Sequence, residues 1–139
     1  MPISAGNRKT LAILVFEVME ELDAAGPWEA FAWWTRHFPQ DGYAVTTFSS
    51  DGRPVTCEKG LVIHAHHSRV SVPTPEVFVH PRGDRTNAML DDSSYLEWIR
   101  YQRARVPLMT SVCTGSTVFA AAGILHGRSA TSNRNALEV

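Results

Sequence analysis

A cysteine between an apolar segment and a run of small residues is the feature of this sequence with the clearest chemical potential. Cys113 follows the apolar run 106–109 and precedes Thr114, Gly115 and Ser116, a pattern that predicts a strand, a sharp turn and a helix. A thiol at such a turn lies near the free N–H groups of a helix N-terminus, whose partial positive charge favours thiolate. The pattern predicts a nucleophile at Cys113, although a buried cysteine packing as a small hydrophobic residue is the alternative.

Acidic residues that follow the first apolar run are candidates for handling a proton beside this thiol. They are Glu17, Glu20, Glu21 and Asp23. A carboxylate at hydrogen-bond distance can hold a thiol in place and can accept or return a proton. Spacing does not choose among the four, because solvent-facing glutamates and a helix-capping Asp23 also fit the pattern.

Closely spaced histidines raise the question of a metal site. In a strand, His64 and His66 would share one face while His67 points away. No cysteine or carboxylate stands nearby at a familiar ligand spacing, so neither a metal nor another cofactor is predicted. His80 precedes a loop at the end of a strand, where an exposed or hydrogen-bonded structural role is favoured over a catalytic one.

Alternating strand and helix patterns predict the elements that must position these residues. Strands are predicted at 11–16, 43–48, 77–80 and 106–109, helices at 27–34 and 95–101, and a hairpin at 54–57 and 61–64. Gly26 and Pro27 are expected to form the turn into the first helix, and Ser93 and Ser94 to cap the second. Strands separated by helices indicate right-handed parallel βαβ units and a doubly wound α/β fold. Ligands bind such sheets at the carboxyl ends of the strands, which is where the acidic segment, the loop after His80 and Cys113 all fall.

Length and charge restrict the remaining possibilities. The 139 residues fit one domain, spanning 1–139, and a formal net charge of -1 argues against nucleic acid as a partner of this segment. No apolar run approaches the roughly 20 residues of a membrane helix, and no secretory leader is recognised, so a cytoplasmic protein with free thiols is expected. The aromatic residues Trp28, Phe31, Trp33 and Trp34 indicate a core helix, a subunit contact, or both.

Three segments together resemble the ThiJ/PfpI superfamily. They are 21–29, 111–116 and 120–131. Within that superfamily the chain looks most like the isonitrile hydratase branch and the related sensor domains of AraC-type transcription regulators. The resemblance implies a flavodoxin-like sandwich, with a mainly parallel sheet and helices on both faces. It also implies a homodimer that carries its cysteine on a nucleophile elbow.

The resemblance also assigns roles to individual residues. It implies that Cys113 is the nucleophile, that Asp23 is the acidic partner hydrogen-bonded to the thiol, and that Thr114 is the neighbour important in the hydratases. The implied function is a cysteine-dependent hydratase that adds water to a small electrophile, converting an isonitrile to an N-substituted formamide. A backbone N–H near the elbow would stabilise negative charge, with Gly83, Arg82 and Gly115 forming the surrounding substrate pocket.

The chain departs from the family pattern at three places. Arg82 and Gly83 stand where the family usually has two glycines, so a side chain is expected to crowd an otherwise open amide. Asn133 stands in for a histidine, which removes a Cys–His dyad. The chain ends soon after the strand expected to hold Asn133, whereas family members continue, so the domain is expected to be C-terminally incomplete. An incomplete sheet would leave an exposed edge for a second copy or another segment to cover.

These departures keep a second function open. The alternative is a non-catalytic ligand- or thiol-sensing domain of an AraC-type regulator. The departures at Arg82 and Asn133 favour this alternative over the enzyme. A glyoxalase-like or protein-repair activity is a third and weaker option that again requires a reactive Cys113. In every case a small molecule is the expected substrate or ligand.

Overall fold

A five-stranded parallel sheet forms the centre of the computed structural model, which describes residues 8–136. The sheet strands are β1 (Lys9–Leu14), β2 (Tyr43–Ser49), β5 (His67–Ser68), β6 (Pro75–His80) and β7 (Leu108–Ser111), and the hairpin is β3 (Val55–Thr56) with β4 (Val62–Ile63). The strand order is β5-β2-β1-β6-β7, and every neighbouring pair is parallel. The chain moves from β1 outward to one side and then returns to add β6 on the other. The strand order therefore reverses between β1 and β6, where a ligand site is expected.

Helices cover both faces of the sheet, which confirms the predicted α/β sandwich. They are α1 (Glu21–His37), α2 (Thr86–Leu90), α3 (Ser93–Arg105) and α4 (Gly115–Ala121). Alternating residues of β1 divide between two cores: Ala12 and Leu14 pack with residues of α3 and α4, whereas Ile13 packs with α1 and the hairpin. Every residue of β1 after Lys9 is buried, as expected for a central parallel strand.

The first helix begins earlier than predicted. It starts at Glu21, so Gly26 and Pro27 lie inside the helix and do not form the turn that leads into it. Glu21 and Asp23 occupy the first turn, where acidic side chains stabilise the positive end of a helix. Pro27 removes the N–H that would bond the Asp23 carbonyl and crowds that carbonyl with its ring, yet the helix continues to His37.

The predicted boundaries around α3 also shift. Asp92 caps α3, because its Oδ1 accepts the N–H of Tyr95 at 3.0 Å, so the prediction of a cap by Ser93 and Ser94 was wrong. At the other end, the Val106 N–H still bonds the Gln102 carbonyl at 2.8 Å. The strand predicted at 106–109 consequently forms only from Leu108, where the chain can pair with β6.

The strand expected to hold Asn133 is absent from the described residues. Residues 128–133 are irregular and lead into a short 3-10 turn, Arg134–Ala136. Sequence patterns also missed the short α2 and the two-residue β5, which are fixed by contacts with distant segments. Across residues 8–136, no helix has both the length and the apolar character required to cross a bilayer.

Candidate active site

The turn that carries Cys113 is strained and tightly supported. Cys113 links β7 to α4 with a backbone φ of 55°, a left-handed value that residues other than glycine seldom adopt. Beneath it, the Val112 N–H donates to the His80 carbonyl at 2.9 Å. A Cβ on Gly115 would lie 2.4 Å from that same oxygen, so the turn presses against the end of β6. The predicted strand, sharp turn and helix are confirmed, and Cys113 is partly exposed.

Asp23 lies where the loops after β1 and β6 meet. Its Oδ2 accepts the Arg82 N–H at 3.1 Å, and the Glu20 N–H donates to the Arg82 carbonyl at 2.9 Å. Gly83 fits closely against the first loop, because a Cβ there would lie 2.6 Å from the Cα of Met19. Asp23 is only 8% exposed, and burial raises the pKa of its carboxyl despite the bond from Arg82. A raised pKa suits a group that must deliver a proton.

The other acidic residues of this segment have different partners. Glu17 Oε2 accepts the Thr56 N–H at 3.1 Å, and Lys59 Nζ pairs with Glu20 Oε2 at 2.7 Å and with Glu21 Oε2 at 3.4 Å. These contacts attach the hairpin to the start of α1. Asp23 is the buried member of the group, a distinction that spacing alone did not provide.

The structure brings Asp23 and Cys113 to the same edge of the sheet without a direct bond between them. Among residues 8–136, no hydrogen bond joins Cys113 Sγ to the Asp23 carboxylate. Asn133 is exposed, and its Oδ1 accepts the Asn135 N–H at 3.0 Å. Sequence reasoning missed Ser132, whose hydroxyl donates to the Cys113 carbonyl at 3.2 Å and so ties the 128–133 segment to the elbow.

A cavity of about 420 Å³ opens beside the elbow. It is lined by Arg82, Gly83, Asp84, Thr86, Asn87, Leu90, Thr114, Thr117 and Ala120. Two of the predicted pocket residues, Arg82 and Gly83, share this cavity with Thr114, which the resemblance places beside the nucleophile, whereas Gly115 is buried and does not line it. The Arg82 guanidinium lies 3.4 Å from Glu58 Oε2, so this carboxylate partly neutralises its positive charge.

The backbone donors near the cavity are not equally available. The Gly83 N–H donates to Thr86 Oγ1 at 2.9 Å, and the Gly115 N–H donates to the Val112 carbonyl at 3.0 Å. Within the described part of the chain, the N–H groups of Cys113 and Thr114 donate to no acceptor. The donors open to a negatively charged group beside the cavity are thus those of Cys113 and Thr114, whereas the resemblance implied an N–H near the elbow without naming its residue.

His80 supports the elbow from inside the core. It is fully buried, with Nδ1 2.7 Å from the Pro81 carbonyl and Nε2 2.7 Å from the Tyr95 hydroxyl. Because a carbonyl can only accept, Nδ1 carries the proton and Nε2 accepts from Tyr95. Burial lowers the pKa of His80 to about 4. The prediction of a hydrogen-bonded structural histidine is confirmed.

Acidification should weaken the fold through His80. The unfolded histidine titrates near 6.5 and the folded one near 4, so between these values the unfolded state binds the extra proton. The free energy of unfolding should consequently fall, by up to roughly 3 kcal/mol, as pH drops from about 6.5 to about 4. Urea unfolding across this range measures the slope. The double variant His80→Leu/Tyr95→Phe, which removes both partners, should lose this component, and an unchanged slope in that variant would contradict the assignment.

His66, one of the three closely spaced histidines at 64–67, also makes structural contacts. His66 Nδ1 accepts the Thr47 N–H at 3.1 Å, and its ring stacks on Trp28 with centroids 5.5 Å apart. No three His, Cys, Asp or Glu side chains within residues 8–136 are grouped so that they could hold a metal ion.

Comparison with known proteins identifies the family and the fold. Residues 9–138 match the sequence profile of the DJ-1/PfpI family. The chain belongs to the DJ-1/PfpI family. Over 123 residues it is 32% identical to an isonitrile hydratase from Pseudomonas putida. The aligned segment covers 88% of this chain and 51% of that enzyme. It is also 31% identical over 131 residues to an uncharacterized protein encoded in the cpoL 5′ region of Streptomyces lividans, covering 94% and 91% of the two chains.

Solved structures agree with this membership. A ThiJ/PfpI family protein from Pseudomonas syringae superposes with a TM-score of 0.74 at 30% identity, covering 86% of this chain and 48% of that one. A putative transcriptional regulator from Vibrio parahaemolyticus shares the fold, with a TM-score of 0.70 at 16% identity over 86% of this chain and 63% of that one. This DJ-1/PfpI chain thus spans about half the length of the isonitrile hydratase and of the P. syringae protein.

Proposed function

We propose that this protein is a cysteine-dependent hydratase that converts a small isonitrile to its N-substituted formamide. The observation that carries the proposal is the strained, partly exposed Cys113 at φ 55°, next to a cavity of about 420 Å³. The 32% identity to an isonitrile hydratase supports this choice of substrate class. An isonitrile carbon is a small electrophile that a thiol can attack, and the cavity is large enough to admit one.

The reaction proceeds in two steps. In the first, a bond forms between Cys113 Sγ and the terminal isonitrile carbon, the S–H bond breaks, and that carbon gains a proton to give a thioformimidate. In the second, water adds across the C=N bond, the C–S bond breaks, and the thiol is regenerated as the formamide leaves. Water and isonitrile are the only reactants consumed, so no oxidant or reductant is needed.

Two features of the site would assist these steps. The Asp23 carboxyl, whose pKa burial raises, relays the thiol proton to the carbon. Negative charge that develops on the substrate during attack would be stabilised by the N–H groups of Cys113 and Thr114, which have no acceptor within residues 8–136. Thr114 also lines the cavity, where its side chain contacts the substrate.

Product formation tests the proposal directly. Purified protein is incubated with a series of alkyl isonitriles, and the N-substituted formamide is measured by liquid chromatography and mass spectrometry. Saturable, protein-dependent formation of formamide is the expected result. A rate no greater than that of buffer, across short and branched alkyl groups, would count against the activity.

A sensing role is the second candidate, in line with the sensor domains of AraC-type regulators. It is favoured by one observation: no hydrogen bond joins Cys113 Sγ to Asp23 within residues 8–136, so the thiol lacks an engaged acid in this arrangement. In that case a small molecule would occupy the cavity and leave unchanged. Saturable binding of an isonitrile without formamide production would select this role.

The family resemblance implies a homodimer, and the α1 face of the sheet is suited to it. Large apolar side chains are exposed on α1 (Leu22, 70%; Trp33, 53%) and on the adjoining hairpin (Leu61, 50%; Val62, 51%). A second copy packed on α1 would cover these side chains. Sedimentation velocity at micromolar concentration should give about twice the monomer mass of 15.4 kDa, and a monomeric mass would contradict the dimer.

A further inference from the structure

A second cavity lies on the α3 face of the sheet, apart from the elbow. Its volume is about 230 Å³, and it opens where β1, β2 and β5 end. Its polar lining comes from Ser50, Arg69, Arg85 and Asp92, with Tyr95 at its base. Neither Cys113 nor Asp23 lines it. The volume is below the roughly 300 Å³ typical of pockets for drug-sized ligands, which restricts any occupant to a small molecule.

Arg69 lies in this cavity wall with its charge incompletely compensated. Its guanidinium carbon lies 4.1 Å from the centre of the Trp98 ring and 5.2 Å from that of Tyr95, so two aromatic faces hold it in place. Its Nε is buried and has no hydrogen-bond partner among the described residues. Within residues 8–136, no carboxylate lies within 4.0 Å of its guanidinium nitrogens. The terminal guanidinium nitrogens also donate to no described residue, so an acceptor that reached them from the cavity would be favourable.

The charge around the cavity favours an anion. Arg69 and Arg85 contribute two positive charges, and Asp92 contributes one negative charge. The Asp92 carboxylate is already engaged, because its Oδ1 accepts the Tyr95 N–H at 3.0 Å and the Ser94 hydroxyl at 2.7 Å. The negative charge of Asp92 weakens the attraction for an anion but does not cancel the positive charge of both arginines. A guanidinium presents a planar fork of donors that fits the paired oxygens of carboxylates and phosphates.

We propose that this cavity is a binding site for a small anion with paired oxygens, a carboxylate or a phosphate, held by Arg69 with help from Arg85. The inference does not rest on the proposed hydratase activity, since the cavity and the elbow share no polar group. Arg69, which is partly buried, supplies the first charge, and Arg85, which is exposed at the start of α2, supplies the second.

Calorimetric titration with two probes tests the site. Inorganic phosphate and acetate are each titrated into the protein at constant ionic strength. One of them is expected to bind saturably, with a Kd raised about tenfold or more by Arg69→Gln and severalfold by Arg85→Gln. Saturation by phosphate alone identifies a phosphate site, and saturation by acetate alone identifies a carboxylate site.

Two further variants serve as controls. Arg36→Gln makes the same charge change on the exposed end of α1 and should leave the Kd unchanged. Arg82→Gln removes the arginine beside the elbow. The proposal is overturned if neither probe saturates, if Arg69→Gln and Arg85→Gln both bind as the parent does, or if only Arg82→Gln loses binding. Should Arg69→Gln fail to fold, the exposed Arg85→Gln still decides between these outcomes.

Discussion

Replacing Cys113 with alanine should lower the rate of formamide production by about a thousandfold or more, because the reaction then loses its only proposed nucleophile. The assay is the conversion of the best alkyl isonitrile, compared at equal concentrations of folded protein. Alanine removes the sulfur and adds nothing to the turn. The cavity beside the elbow should therefore keep its shape and its affinity for substrate.

The second cysteine provides the matched control for this prediction. Cys57 is 2% exposed, and burial raises the pKa of its thiol, so it is a poor nucleophile at neutral pH. Cys57→Ala should leave the rate within about twofold of the parent. Undiminished activity in Cys113→Ala, or loss confined to Cys57→Ala, would remove Cys113 from the mechanism.

Gly115→Ala should destabilise the protein by about 3 kcal/mol, the upper end of the usual cost of overpacking. The added Cβ would lie 2.4 Å from the His80 carbonyl oxygen and 3.0 Å from that of Pro81. Both are backbone atoms, so relief requires α4 to move away from the end of β6. That movement would displace Cys113, and activity should fall along with the free energy of unfolding measured in urea.

Gly26→Ala is the matched control for Gly115→Ala. Gly26 lies inside α1, and apart from its chain neighbours and the backbone of its own helix, a Cβ there would meet no heavy atom within 4 Å. Alanine is the better helix former, but the Pro27 ring disfavours helical backbone at a preceding residue that carries a Cβ, so this variant should change the free energy of unfolding by less than about 1 kcal/mol. If Gly115→Ala were as stable as Gly26→Ala, the close packing of the elbow on β6 would be wrong.

Local patterns predicted the parts of this structure that depend on local physics. The continuous apolar run of β1 identified a strand buried on both faces, and the small residues after Cys113 identified the sharp turn. Because parallel strands all end at one edge, the sequence also predicted that the acidic segment, the loop after His80 and Cys113 would lie at that edge. The family resemblance then distinguished Asp23 from its acidic neighbours.

The partners of the acidic side chains and backbone N–H groups at the site depend on contacts between distant segments, which the sequence could not predict. The hairpin engages Glu17, Glu20 and Glu21 and leaves Asp23 buried, but that division depends on Thr56 and Lys59, more than thirty positions away in the chain. Internal bonds likewise occupy the N–H groups of Gly83 and Gly115, which motif comparison had placed in the pocket. Sequence alone does not reveal these pairings, because each donor finds its acceptor through the tertiary fold.

Mapping a covalent intermediate tests the central claim most directly. The protein is mixed with an alkyl isonitrile, quenched within the first turnovers, and analysed by intact-mass and peptide mass spectrometry. The mechanism predicts a mass increase of one isonitrile, located on the peptide that contains Cys113 and absent from Cys113→Ala. Formamide production with no adduct at Cys113, or with the adduct on Cys57, would contradict it.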